Sequence, residues 1–204
     1  MPTLLSIQAS SRGEASVSRI LSDKFIAQWQ RQYPDGQVIV RDLMKTPLPF
    51  LDIPWITGAF MPDPQKRSPE MQAALSVSDE LVAEIKSADQ LLFGVPMLNF
   101  SVPAVLKAYF DQVVRLNETF SRETGGLIKG KPVKIILATG RVYTPGAPDE
   151  HLDYASGWLR TILGYIGVTD VDILPVGGAL GISRGLITVQ EHIAKFEGAV
   201  MEMV

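Results

Sequence analysis

The sequence predicts an open, doubly wound α/β sandwich: a five-stranded parallel sheet in the order 2-1-3-4-5 with helices on both faces. Three observations carry this. Five short aliphatic or β-branched runs alternate with longer stretches of helical spacing. The runs are apolar without a period of two, as in Ile135-Ile136-Leu137-Ala138, which is what a parallel strand covered on both faces requires. Each run also ends in a loop rich in Gly, Ser or Pro. Strict alternation implies right-handed crossovers, and the expected strand order puts ligands at the carboxyl ends of strands 1, 3 and 4.

Taken in order, Thr3–Ile7 reads as the first strand, and Leu21, Phe25 and Trp29 fall on one face of the helix after it. Val38–Arg41 is the second strand. The segment Met44–Ser68 holds Pro47, Pro49, Pro54, Pro62 and Pro64 with Phe50, Leu51, Trp55, Ile56, Phe60 and Met61. Prolines stiffen it and its apolar side chains demand burial, so it is expected to cover something. Met71, Leu75, Leu81 and Ile85 mark a second helix, Gln90–Val95 a third strand, and Leu106, Tyr109, Phe110 and Val113 a third helix. Ser101 is expected to cap that helix, with Pro103 in its first turn. Leu116–Lys131, with Phe120 and Gly125-Gly126, suits a small hairpin. Val133–Ala138, a helix over about 152–166, Val171–Pro175, and a helix carrying Val189, Ile193, Phe196 and Val200 complete one domain over residues 1–204.

Composition removes whole classes of function. The 204 residues carry 19 Lys+Arg against 22 Asp+Glu, a net charge of −3, with 46% apolar and 20% charged residues and no cysteine. Such a chain buries an ample core. Without cysteine there is no disulfide framework, thiolate metal site or thiol nucleophile, so redox chemistry requires a bound cofactor. A net charge near zero offers no basic field for nucleic acid or an anionic membrane. The opening Met1–Gln8 lacks the features of a signal peptide, and no apolar stretch is long enough to span a bilayer. The expectation is a cytoplasmic protein in which the triplets at Asn99 and Asn117 are not glycosylated.

Three loops carry the candidate chemistry. The first, Gln8 to Ser18, offers Ser10, Ser11, Ser16, Ser18 and Arg12 at a helix start, where free N–H groups and a partial positive charge suit a phosphate. It matches neither GxxxxGK[ST] nor GxGxxG, which argues against nucleoside triphosphate hydrolysis and ordinary dinucleotide binding. In an isolated Ser-rich turn Ser16 or Ser18 would simply cap the helix, but the position after the first strand favours a phosphate. The third-strand loop, Gly94 to Pro103, is stiffened by two prolines and can turn peptide groups toward a planar heterocycle, with Met97, Leu98 and Phe100 around it or simply anchoring the loop. The fourth, Ala138 to Gly146, offers Thr139, Gly140 and Arg141 to a carbonyl-rich ring edge, although Arg141 equally suits a surface charge. His151 and His192 read as solvated helix residues. There is no G-x-S-x-G, no HExxH and no calcium loop, so no catalytic side chain and no metal site are assigned.

Three pieces in order carry a resemblance: Ser10-Ser11-Arg12-Gly13-Glu14-Ala15-Ser16-Val17-Ser18; Pro96-Met97-Leu98-Asn99-Phe100 with Leu106-Lys107-Ala108-Tyr109-Phe110-Asp111; and Leu163-Gly164-Tyr165-Ile166-Gly167-Val168-Thr169-Asp170. Together they resemble the FMN-dependent NADH azoreductase/quinone reductase family, from about residue 3 to residue 180. The resemblance implies a flavodoxin-like fold, a homodimer with active sites at its interface, non-covalent FMN, and two-electron ping-pong reduction of quinones or azo compounds by NADH or NADPH. It places Ser11, Ser16 and Ser18 on the FMN phosphate with Ser10, Arg12 and Val17 adjacent. Pro96, Met97, Leu98, Asn99 and Phe100 would line the ribityl chain and ring, with Thr139 and Gly140 at the pyrimidine edge and Arg141, a candidate contact from its loop position, beside them. Phe60, Phe120, Tyr143 and Tyr165 are the candidate substrate contacts. The sequence departs from the family where Leu98 replaces a frequent Tyr, and where Thr139-Gly140-Arg141-Val142 lacks consecutive glycines. The rival readings are a flavodoxin-type electron carrier, for which −3 is a mild charge, and a module that binds a phosphorylated metabolite without redox chemistry.

Overall fold

The computed structural model describes residues 1–46 and 48–204; Pro47 of the proline-rich segment lies outside them. The strands are β1 (Thr3–Gln8), β2 (Gln37–Asp42), β3 (Gln90–Pro96), β4 (Phe120–Ser121), β5 (Gly125–Gly126), β6 (Val133–Ala138) and β7 (Val171–Val176). The helices are α1 (Val17–Gln32), α2 (Ile53–Ala59), α3 (Pro69–Ser87), α4 (Ala104–Val113), α5 (Tyr154–Tyr165), α6 (Leu180–Ser183), α7 (Val189–Ala194) and α8 (Glu197–Glu202). The main sheet runs β2-β1-β3-β6-β7, parallel throughout, and β4 pairs antiparallel with β5 in the expected hairpin.

Two apolar layers sandwich the sheet. On one face α3, α4 and α5 bury Leu81, Ile85, Leu106, Tyr109, Phe110, Leu159 and Leu163 against Leu5, Ile7, Phe93 and Ile135. On the other, α1 and the carboxyl-terminal helices bury Leu21, Phe25, Trp29, Ile193 and Val200 against Leu4, Leu92 and Ile136. Full burial of a side chain such as Leu21 or Phe25 stabilises by roughly 1.5–3 kcal/mol. Gly94 lets α1 lie close to β3, because a Cβ there would stand 2.4 Å from Gln8 Oε1 and 2.7 Å from Ser22 Oγ. An ion pair of 2.9 Å between Arg19 and Asp42 ties the first turn of α1 to the end of β2. The start of α1 is thereby held over the carboxyl ends of β1 and β3.

The structure corrects several expectations. The proline-rich segment contains a helix, α2, started by the Asp52 side chain accepting from Trp55 N (2.9 Å) and by Pro54 in its first turn; Asp-x-Pro is a start signal, overlooked when prolines are read only as stiffeners. Its apolar side chains are not all covered: Trp55 is buried, whereas Phe50, Ile53, Ile56 and Phe60 are exposed. Ser101 does not cap α4; Pro103 is the capping position and no side chain serves. The last helix is two helices, α7 and α8, because Lys195 N and Phe196 N close short bonds to His192 O and Ile193 O and end the first early. His192 is buried and not solvated, its ring 5.3 Å from that of Phe196.

Candidate functional site

The carboxyl ends of β1, β3 and β6 enclose a cavity of about 240 Å³ lined by Ser10, Arg12, Ser16, Val17, Ser18, Pro96, Met97, Leu98, Ala138, Thr139, Gly140, Ala179, Leu180 and Ser183. Helix capping and ligand cradling coexist in the first loop. Ser16 Oγ accepts from Arg19 N (3.3 Å) and stands 3.2 Å from Ser18 Oγ, while Ile20 N bonds Ser16 O. A helix leaves its first N–H groups without intrahelical partners, so those of Val17 and Ser18 remain for a ligand beside two buried hydroxyls. Ser10 is buried and receives Arg12 N at 3.3 Å. Ser11 lies on the exposed turn and does not line the cavity.

In the second loop, Leu98 and Ser101 exchange both backbone bonds, at 2.9 and 3.1 Å, around Asn99 and Phe100. Both central residues have positive φ, 49° and 69°. This tight two-residue turn suits asparagine but strains a phenylalanine, and such strain persists where surrounding structure fixes it. Tyr154 N at the start of α5 bonds Phe100 O at 3.2 Å. Leu98, Asn99 and Phe100 are exposed at the cavity mouth, but only Leu98 lines the cavity itself.

In the third loop, Thr139 is buried, with its hydroxyl donating to Arg141 O at 2.6 Å. Arg141 turns away from the cavity to pair with Asp149 at 2.9 Å, and that hydrogen bond raises its pKa. Its position is that of a surface charge.

A fourth loop escaped the sequence reading. After β7, Gly178 N, Ala179 N and Leu180 N bond Arg141 O, Thr139 O and Gly140 O at 3.2, 3.0 and 2.9 Å, which brings Ala179, Leu180 and Ser183 to the cavity wall. Gly177-Gly178 directly after the last strand was the available signal, Gly178 having φ of 88°.

Of the candidate substrate contacts, none lines the cavity of its own chain. Tyr143 faces a separate groove with Glu150, Asp153 and Arg160. Phe60 ends α2 and is half exposed. Phe120 and Tyr165 pack against each other with ring centres 5.0 Å apart and planes tilted by 46°. Phe120 follows α4 and Tyr165 ends α5, at the opposite end of the sheet, because both helices run antiparallel to the strands. Among the described residues no cluster of three His, Asp or Glu side chains could hold a metal, and no helix is long and apolar enough to cross a membrane.

Comparison with known proteins agrees with this geometry. Residues 2–200 match a family model described as flavodoxin-like fold. An FMN-dependent NADH:quinone oxidoreductase of Burkholderia lata is 46% identical over 196 residues, covering 96% of this chain and 93% of the relative. One of Acidobacterium capsulatum is 45% identical over 181 residues, 87% of each chain. Among solved structures, an azoreductase of Bacillus anthracis superposes with a TM-score of 0.86 at 27% identity, covering 99% of this chain and 98% of its own.

Proposed function

The chain belongs to the family defined by this flavodoxin-like fold, and on that premise we propose that it is an FMN-dependent NADH:quinone oxidoreductase that also reduces azo compounds. The observation that carries the reading is the convergence of a serine-lined helix start, a strained turn and a Thr-Gly loop on one cavity. The donor set fits FMN: two buried hydroxyls, two free N–H groups and Arg12 for a dianion, and backbone edges and apolar side chains for a planar ring.

Bound FMN supplies the two-electron chemistry that a cysteine-free chain lacks. The protein's part is to bind and orient. Ser16, Val17 and Ser18 hold the phosphate, with Ser10 and Arg12 beside them. The Leu98–Ser101 turn would offer fixed peptide groups to the ring, and Gly140 would leave room for its close approach. Leu98 and Phe100 keep the mouth apolar and exclude water. No side-chain base is assigned; the acceptor takes protons from solvent. NADH is the donor, as the names of the relatives state for those proteins.

The working unit we propose is a homodimer in which each subunit completes the other's site. Two features support it. Phe50, Ile53, Ile56, Phe60, Leu98 and Phe100 are exposed apolar side chains, and Ile53, Ile56 and Phe60, at helical spacing, form an apolar stripe of the kind that marks an interaction site. The Phe120–Tyr165 pair, at the far end of its own sheet, can serve an acceptor only at another subunit's cavity, and a two-fold interface lets both subunits do so. Phe60, at the end of α2, belongs to the same acceptor wall. The reading is tested by adding FMN, removing oxygen and titrating with NADH: the yellow colour bleaches and a quinone restores it. A protein with no affinity for FMN, or whose bound FMN is not reduced by NADH, would overturn it.

A further inference from the structure

Away from the cavity, one buried cation has no part in the chemistry so far described. Arg115 is 1% exposed. Its Nη1 donates to Ser78 Oγ at 2.6 Å and to Asp79 Oδ1 at 3.1 Å, both on α3, while its Nε has no partner. The guanidinium lies 5.6 Å from the centre of the Trp55 ring on α2. Trp55 Nε1 donates to Gln112 Oε1 at 2.8 Å, and Gln112 Nε2 donates to Pro49 O at 2.7 Å. A single polar cluster therefore grips the proline-rich segment at two points, Pro49 and Trp55, and anchors it to α3 and α4.

The backbone of the same residue organises a second segment. Arg115 O accepts from Thr119 N and Phe120 N at 3.0 and 3.2 Å, and Arg115 N donates to Thr119 Oγ1 at 2.9 Å. Thr119 Oγ1 in turn donates to Val113 O at 2.6 Å. Arg115 is thus the junction between the element that ends in Phe60 and the turn that presents Phe120. Burying a cation with one unpartnered nitrogen is a poor route to stability, since a well-packed apolar residue serves as well or better. A planar cation that donates from one nitrogen to two residues of α3 while lying against an indole instead specifies one geometry.

We infer that Arg115 is a positioning residue for acceptor selectivity: it sets the α2 segment, and so Phe60, relative to the turn that carries Phe120. The inference rests on the assignment of Phe60 and Phe120 to the acceptor wall. A bulky acceptor senses the separation of two walls, whereas a small one and the flavin phosphate do not.

The test compares Arg115→Met, Arg115→Lys and Trp55→Phe with the unaltered FMN-loaded protein, using p-benzoquinone as the small acceptor and a substituted naphthoquinone as the bulky one. In Arg115→Met the ratio of kcat/KM for the naphthoquinone over p-benzoquinone falls about tenfold, mostly through KM, while FMN affinity stays within about twofold. Arg115→Lys recovers part of the ratio because it restores the charge without the planar group that lies against Trp55. Trp55→Phe keeps the ring and loses the bond to Gln112; it lowers the ratio in the same direction and decides the question if Arg115→Met does not fold. An equal loss for both acceptors, or an unchanged ratio in folded variants, overturns the inference and leaves the flavoenzyme reading intact. Unaltered protein that fails to bind or reduce FMN overturns both.

Discussion

The backbone of Gly126 runs against that of Gly167: a Cβ on Gly126 would fall 2.1 Å from Gly167 N, and one on Gly167 would fall 2.7 Å from Gly126 C. Gly167 has φ of 105°, a conformation that L side chains rarely adopt. Beside the crossing, Ile128 N bonds Ile166 O at 2.8 Å. The β4–β5 hairpin is in this way stitched to the end of α5, which is what places Phe120 against Tyr165.

Gly126→Ala should therefore force the two backbones apart. Overpacking of this kind costs about 1–3 kcal/mol, read as a lower midpoint in urea unfolding. Because the hairpin shifts, quinone turnover should fall while FMN binding holds. A variant with the original midpoint would show that the crossing yields without strain.

In the phosphate loop, the two serines should separate by their second roles. Ser16→Ala removes the cap of α1 and lowers stability by about 1 kcal/mol, whereas Ser18→Ala leaves stability nearly unchanged. Both should weaken FMN, each by roughly 1.5–3 kcal/mol for a hydrogen bond to a charged group, measured by quenching of flavin fluorescence. Ser11→Ala, on the exposed turn, should cost less than either. An equal loss for Ser11→Ala would move the phosphate outward along the loop.

The buried His192 sets a pH dependence. Burial, and secondarily the nearby Lys195, hold its pKa below the ordinary value of 6.5, and its Nε2 has no partner. The unfolded chain then binds the proton more readily than the folded one, so the stability present above 6.5 is lost as pH falls below it. Tm should drop between about pH 7 and pH 5, and His192→Gln should flatten that part of the profile. A glutamine variant with the same acid limb would assign the loss to carboxylates elsewhere.

Shared sites can be tested by mixing two inactive variants. A Ser16→Ala/Ser18→Ala subunit lacks FMN but keeps Phe120; a Phe120→Asp subunit keeps FMN but lacks the aromatic wall. If Phe120 serves the partner's flavin, the mixed dimer regains one competent site and acceptor turnover rises above either parent. No recovery, with mixed dimers demonstrated by sedimentation or mass, places Phe120 in its own chain's site or in none.

The sequence by itself determined the five main strands, their order and the ligand end of the sheet, because unbroken apolar runs such as Leu91–Phe93 and Ile135–Leu137 admit only a parallel sheet buried on both faces. It also marked the first loop as the candidate phosphate cradle, since a Ser-rich turn entering a helix after the first strand has a local meaning. Contacts between distant segments were another matter. That Leu180 meets Gly140 and that α7 packs so as to enclose His192 depend on elements far apart in the chain, for which local spacing holds no signal, and Arg141 reaches Asp149 only through the way the intervening loop folds. The same holds for Phe120 and Tyr165. Their aromatic character was legible, but only the antiparallel run of α4 and α5 relative to the strands decided that they stand at the end of the sheet away from their own cavity.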